Sequence, residues 1–309
     1  MSHTQTLEFG IALAPVYPWE ALVRQARLVE ALGFSQLWLP DHFVNPSNAE
    51  VNWFEGWTLL AALATQIRRI RIGTLVSSMT LRNPALLARQ AVTVDHISSG
   101  RLELGVGAAG SAHCHTMTGV PGWSRSERSA RYQEWVAIIA QMLAQEVTTY
   151  RGQYYQVENA IMRPAAMQQP RIPLHIAAHG PMALRLAARF GDGWNSYYPG
   201  AGLTAAEAGD ITAARNRQLD EFATAAGRDP QEIRRLFLFG WTADKPLASP
   251  AAFEDAVARY FAAGIREFVF FYMPGAEVWE GQCITSEAWL EKISQELAPE
   301  LRSVLTEGE

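Results

Sequence analysis

Residues able to do chemistry fall in a few short strings. Pro40-Asp41-His42-Phe43 sets a carboxylate beside an imidazole, a pair that can orient a ring, pass a proton or ligate a metal. Gly105-Val106-Gly107-Ala108-Ala109-Gly110-Ser111 is a run of very small side chains; a large planar body can pack against its main chain, or its amides can cradle an anion. Ala177-Ala178-His179-Gly180-Pro181-Met182 puts a proline at the start of a helix, so free amides and the positive end of the helix dipole make the best phosphate seat in the chain. Gly193-Trp194-Asn195-Ser196-Tyr197-Tyr198 adds an indole and an amide. Each string also has a plain structural use: a loop-capping Asp, a strand end, a well-capped helix, a core tryptophan. His113-Cys114-His115 suggests zinc ligation, since imidazoles two residues apart on an extended segment face the same way, with Asp41, His42, His175 and His179 available as further ligands. The carboxylates that usually surround such ligands are missing nearby, so no metal is expected.

These strings sit at matching places in a repeated pattern. Short apolar runs at 7–13, 36–39, 70–76, 102–106, 174–177, 193–197, 236–241 and 267–272 are each followed by a segment of helical periodicity, at 19–32, 57–66, 84–97, 126–143, 181–190, 205–226, 250–263 and 286–305. Eight such units with continuously apolar strands predict an α/β fold, a (β/α)8 TIM barrel in one domain over 1–309. Residues 147–173 break the rhythm and read as an insertion between strands 4 and 5 with a hairpin at 148–157. A doubly wound open sheet is disfavoured, because the first turn, Ala14-Pro15-Val16-Tyr17-Pro18, lacks glycine. In a barrel the chemistry gathers on the loops after the strands, where the strings above lie. Asp95 and Arg101 fall on the opposite rim and read as a structural turn with an ion pair.

The bulk properties of the 309 residues narrow the partners. A net charge of −5 provides no field for nucleic acid or an anionic membrane surface. Apolar stretches such as Phe268–Met273 are far short of the ~20 residues of a bilayer span, and the N-terminus does not read as a signal peptide. Two cysteines, Cys114 and Cys283, are too few for a disulfide framework, so a cytoplasmic protein is expected.

Taken in order, "EALGFSQLWLPDHF" from Glu30, "WTLLAALATQIRRIRIGTLVSSMTLRNPALLARQAVTVDHISSGRLELGVGAAG" from Trp57 and "PLHIAAHGPMALRLAARFGDGWN" from Pro173 resemble the luciferase-like monooxygenase superfamily of flavin and coenzyme F420-dependent oxidoreductases. The resemblance implies a tricyclic ring across the barrel mouth, with Leu75, Val76 and Ser77 behind it and a non-proline cis peptide between Leu75 and Val76. It implies Asp41 and His42 beside the ring as the catalytic pair. It also places Gly107, Ala108, Ala177, Ala178, His179, Gly180, Pro181 and Trp194 around the ring and its phosphate, and 147–173 over the substrate. Trp53, His113 and Trp123 are expected in an apolar or aromatic substrate pocket. The glycine-proline step at Gly180-Pro181 looks like the deazaflavin branch, implying hydride transfer between F420 and a small organic substrate. The alternatives are an FMNH2-dependent monooxygenase fed by a separate cofactor reductase, a metal-dependent barrel hydrolase, and a flavin-binding protein without turnover. Gly110 stands where sugar-phosphate dehydrogenases of this branch carry a catalytic Glu, so that substrate is not expected. A homodimer through first-half helices is expected from the same resemblance.

Overall fold

The structure is a computed structural model that describes residues 6–108, 112–197, 200, 202–240, 244–274, 283–284 and 286–306. Strands β1 (Glu8–Leu13), β2 (Gln36–Leu39), β3 (Arg71–Ser78) and β4 (Leu102–Gly107) lie side by side. The hairpin β5 (Val147–Arg151) and β6 (Gln156–Ile161) forms a separate antiparallel pair, and β7 (Leu174–Ala177), β8 (Gly193–Tyr197), β9 (Arg234–Phe239) and β10 (Glu267–Tyr272) continue the first sheet. Pairing is parallel throughout that sheet, and β10 pairs back onto β1 through Glu8 to Leu13, which closes eight strands into a barrel. A short strand, β11 (Cys283–Ile284), adds to β10. The helices are α1 (Trp19–Ala31), α2 (Gly56–Ala64), α3 (Pro84–Ser98), α4 (Ala112–Thr118), α5 (Arg125–Ala144), α6 (Pro181–Phe190), α7 (Ala205–Ala225), α8 (Pro250–Ala262), α9 (Glu287–Lys292) and α10 (Ala298–Thr306).

Period-two alternation divides each strand between two cores. Phe9, Ile11, Leu37, Leu39, Leu102, Leu104, Val106, Leu174 and Ile176 point outward into the large core under the helices. Ala12, Ala14, Trp38, Leu75, Leu236, Leu238, Val269, Phe271 and Met273 form the smaller core inside the barrel. The interior accepts the Trp38 indole because Gly73 faces it: a methyl on Gly73 would come within 2.7 Å of the ring. Below Trp38 the barrel floor is ionic. Glu103 accepts a hydrogen bond from Arg234 at 2.7 Å, forms an ion pair with Arg71 at 3.0 Å and lies 2.7 Å from His175 Nε2, while Glu8 pairs with Arg71 and Glu267 with Arg234. Burial raises the Glu103 carboxyl, but the charges of Arg234 and His175 outweigh it and hold the group well below the ordinary carboxylate range.

Three elements differ from the sequence reading. Ala112–Thr118 forms α4, a helix where a loop was expected. The hairpin spans 147–161, longer than the expected 148–157. The C-terminal helical pattern is divided by a π-helical turn, Ile293–Leu297, between α9 and α10. The Leu75–Val76 peptide is cis, and the register between β3 and β4 shifts there, between Thr74 and Ser77.

Candidate active site

Asp41 and His42 follow β2, on the mouth side, and help to line a cavity of about 570 Å3 together with Trp53, Leu81, Arg82 and Gln90. Asp41 is buried and its carboxylate is fully engaged: Arg82 donates from Nε to Oδ2 at 2.8 Å and from Nη2 to Oδ1 at 2.7 Å. A bidentate pair of this kind fixes both partners in orientation. Arg82 also bonds Glu55, which caps α2 by accepting the amides of Trp57 and Thr58. Burial raises the Glu55 carboxyl, yet the hydrogen bonds from Thr58 and Arg82 prevail and bring it down to about 2, so it is an anion at neutral pH. His42 is held differently. Its ring meets Trp53 edge-on with centroids 6.1 Å apart, and its Nδ1 is buried without a hydrogen-bond partner among the described residues. Asp41 is therefore committed to Arg82, whereas the His42 Nδ1 is not committed to any described residue.

Across the mouth, the ends of β3, β4 and β7 make a bed of small side chains. Leu75 belongs to the inner core with Val76 packed on it, and a methyl added at Gly107 would lie 2.5 Å from Val76 Cγ2 and 3.9 Å from Ala177 Cβ. Ala108 is half-buried and packs against the outer core. Helix α6 starts on Gly180-Pro181 with no side-chain cap, as read from the sequence. His179, just before it, has its ring edge on Tyr197 with centroids 4.0 Å apart; burial, with help from Arg215, pushes its pKa down to about 3. Asn195 Oδ1 is a further buried oxygen without a hydrogen-bond partner among the described residues.

Other expected site residues are spent on the scaffold. Trp194 is fully buried in the outer core and donates its indole N–H to the Ala178 carbonyl at 2.8 Å, because its place in β8 points it toward the helices; it is no part of the mouth surface. The Ala178 methyl faces the same outer core. The Ser77 hydroxyl receives the Trp57 indole N–H at 2.9 Å and donates to Thr74 at 3.0 Å, so it is closed to a ligand. Trp123 does not line the cavity; the Arg131 guanidinium sits 4.6 Å over its ring and His115 packs against its edge. The His113 side chain and residues 109–111 lie outside the described residues. Positions 113 and 115 now stand on a helix, where two residues turn roughly 200° about the axis, unlike the same-sided pair of an extended segment. No group of three metal-binding side chains occurs among the described residues.

Residues 147–173 also serve differently from the expectation: none lines the cavity, and Glu134 of α5 binds the hairpin turn through the amides of Gln153, Tyr154 and Tyr155. Asp95 and Arg101 are structural without pairing. Asp95 accepts the Met167 and Gln168 amides, and Arg101 donates to the carbonyls of Ser98, Ala64, Ile67 and Ile70. Arg82, Glu55 and Gln90 were missed by sequence reasoning. Only Arg82 carried a signal, as a lone cation just after the third strand and before the Asn83-Pro84 helix start.

Comparison with known proteins agrees with this architecture. The family model described as luciferase-like monooxygenase matches residues 1–283. The chain is 33% identical over 178 residues to the F420-dependent glucose-6-phosphate dehydrogenase of Amycolatopsis mediterranei, covering 56% of this chain and 52% of that protein. It is 28% identical over 263 residues to the 5,10-methylenetetrahydromethanopterin reductase of Methanolobus tindarius, covering 85% and 74%. The chain thus spans about half the length of the first of these curated relatives. The coenzyme F420 dependent tetrahydromethanopterin reductase of Methanopyrus kandleri superposes with a TM-score of 0.76 at 18% identity, over 96% of this chain and 99% of that one, which is a likeness of fold.

Proposed function

Because this chain belongs to the luciferase-like monooxygenase family, we propose that it is an oxidoreductase that uses coenzyme F420, built as a single barrel domain and acting on a small apolar or aromatic molecule. The relatives named above as F420-dependent support the cofactor. The observation that carries the reading is His42, with a buried Nδ1 that has no hydrogen-bond partner among the described residues, in a cavity of about 570 Å3 at the barrel mouth, where Val76, Gly107 and Ala177 lie close together at their strand ends. A cavity of that volume has room for a planar ring, and the buried nitrogens of His42 and His179, without hydrogen-bond partners among the described residues, fit the polar groups around one.

F420, when bound, accepts or donates a hydride at one ring carbon. Val76 and Leu75 would back the ring, and Gly107 and Ala108 would let it approach the main chain. The uncapped start of α6, at Gly180-Pro181 after His179, would receive its phosphate. His42 moves a proton at Nδ1 on the substrate oxygen, while Asp41, through Arg82, holds the loop that carries it. Trp53, Phe43, Leu81 and Val120 line the cavity with apolar surface and exclude water from the reacting carbon. With Gly110 where the sugar-phosphate dehydrogenases carry Glu, a phosphosugar is not the substrate in this reading.

A cytoplasmic homodimer completes the proposal. Leu86 and Ile97, three turns apart on one face of α3, are 57% and 41% exposed and support pairing through the first-half helices. Titration of the purified protein with F420 and with FMN, read by fluorescence, tests the cofactor: F420 binding without FMN binding is expected. FMN binding with oxygen uptake on adding reduced FMN would replace the reading with a monooxygenase that needs a partner reductase. Stoichiometric zinc with neither cofactor bound would overturn both.

A further inference from the structure

We propose that Arg215 of α7 is a positioning residue for His179, holding the imidazole as a neutral ring whose single proton sits on Nε2, ready to be donated to an oxygen of the bound cofactor. The inference rests on the functional reading for the identity of that oxygen, and on geometry alone for the state of the ring. Arg215 Nη1 lies 3.2 Å from His179 Nδ1. A guanidinium has five donors and no acceptor, so Nδ1 must accept, and in a neutral ring the proton is then on Nε2. That nitrogen is buried and has no hydrogen-bond partner among the described residues.

Two further observations point the same way. The ring cannot swing freely, since it is wedged edge-on against Tyr197 at 4.0 Å between centroids. The groups facing it are Arg215 from α7 and Tyr197 from β8, and no carboxylate pairs with either of them or with the ring among the described residues. A cation against one nitrogen opposes a second positive charge, in keeping with a pKa pushed down to about 3 by burial first and Arg215 second. His179 is therefore a donor of fixed tautomer over the whole pH range in which a solvent-exposed histidine would titrate near 6.5. Arg215 itself stays a half-buried cation without a carboxylate partner among the described residues, which leaves positive charge beside the start of α6.

The test is nitrogen NMR of the full chain labelled at histidine, with His179→Gln supplying the assignment. In the unliganded wild type the His179 ring is expected to show the Nε2–H tautomer and no protonation between pH 5 and 8, a window set by the ordinary histidine value. In Arg215→Gln the ring is expected to titrate at least about one unit higher and to mix tautomers, while Arg215→Lys, which keeps a donor and its charge, restores the wild-type pattern. F420 titrations of the same proteins are expected to give about a tenfold weaker Kd for Arg215→Gln, the loss of one oriented hydrogen bond. An Nδ1–H tautomer or a titration near 6.5 in the wild type overturns the proposal without recourse to any variant, as does an unchanged His179 spectrum in folded Arg215→Gln. Failure of the wild type to bind F420 overturns the functional reading instead, and the ring spectrum still decides the role of Arg215.

Discussion

Asp41 and His42 are neighbours in the chain with opposite occupations: one has both oxygens bound, the other a nitrogen to spare. Replacing His42 by Gln keeps a polar side chain of similar size and removes the imidazole proposed to carry the proton. Turnover is expected to fall by about 10²–10⁴-fold with F420 affinity nearly unchanged, measured by steady-state kinetics beside a binding titration. Arg82→Met acts on stability, because it strands the buried Asp41 carboxylate without a cation. A loss of about 3–5 kcal/mol is expected in urea unfolding, with much of it recovered by adding Asp41→Asn, since both charges are then gone. An unaltered unfolding midpoint in the single variant would show that Arg82 does not neutralise Asp41.

Elements set what a residue can reach. The ends of β3 and β4 meet where the ladder changes register, and Gly107 leaves there the space that Val76 occupies. Gly107→Ala pushes a methyl to 2.5 Å from Val76 Cγ2, so Val76 must turn or the strand end must move. F420 affinity is expected to drop about tenfold while the melting temperature falls by only a few degrees, because the strain is confined to one rim of the barrel. The same scale explains the hairpin. Glu134 gathers three of its turn amides, which ties β5 and β6 to α5 and away from the cavity.

At the scale of the molecule the barrel is closed by pairing β10 on β1 and filled from below by charge. Glu103 is held as an anion below the usual carboxylate range, mainly by Arg234 and His175 against the opposing effect of burial. A carboxyl whose folded pKa is depressed binds its proton more readily in the unfolded chain. Its stabilisation is complete above the unfolded value of about 4.3 and is lost as the pH falls from there toward the folded one. Urea midpoints are expected to hold from pH 7 to about 5 and then decline. Glu103→Gln should lower the midpoint at pH 7 and flatten the acid limb, because Arg71 and Arg234 each lose one of their two carboxylate partners whatever the pH.

The sequence by itself determined the rhythm of strand and helix, and with it the barrel, its mouth and the strings that gather there, because a period of 2 or 3.6 is written locally in apolar residues. The places of Asp41, His42 and Gly107 at or just after strand ends, and the Gly180-Pro181 helix start, were legible for that reason. Only the tertiary structure decided which side of a strand end each side chain takes and who its partner is: that Trp194 and Ser77 are committed to the scaffold, that Arg82 claims Asp41 from 41 positions away, and that Arg215 reaches His179 across 36. Contacts between elements distant in the chain leave no periodic trace in either segment, since each is satisfied by a partner whose position depends on the whole barrel closing.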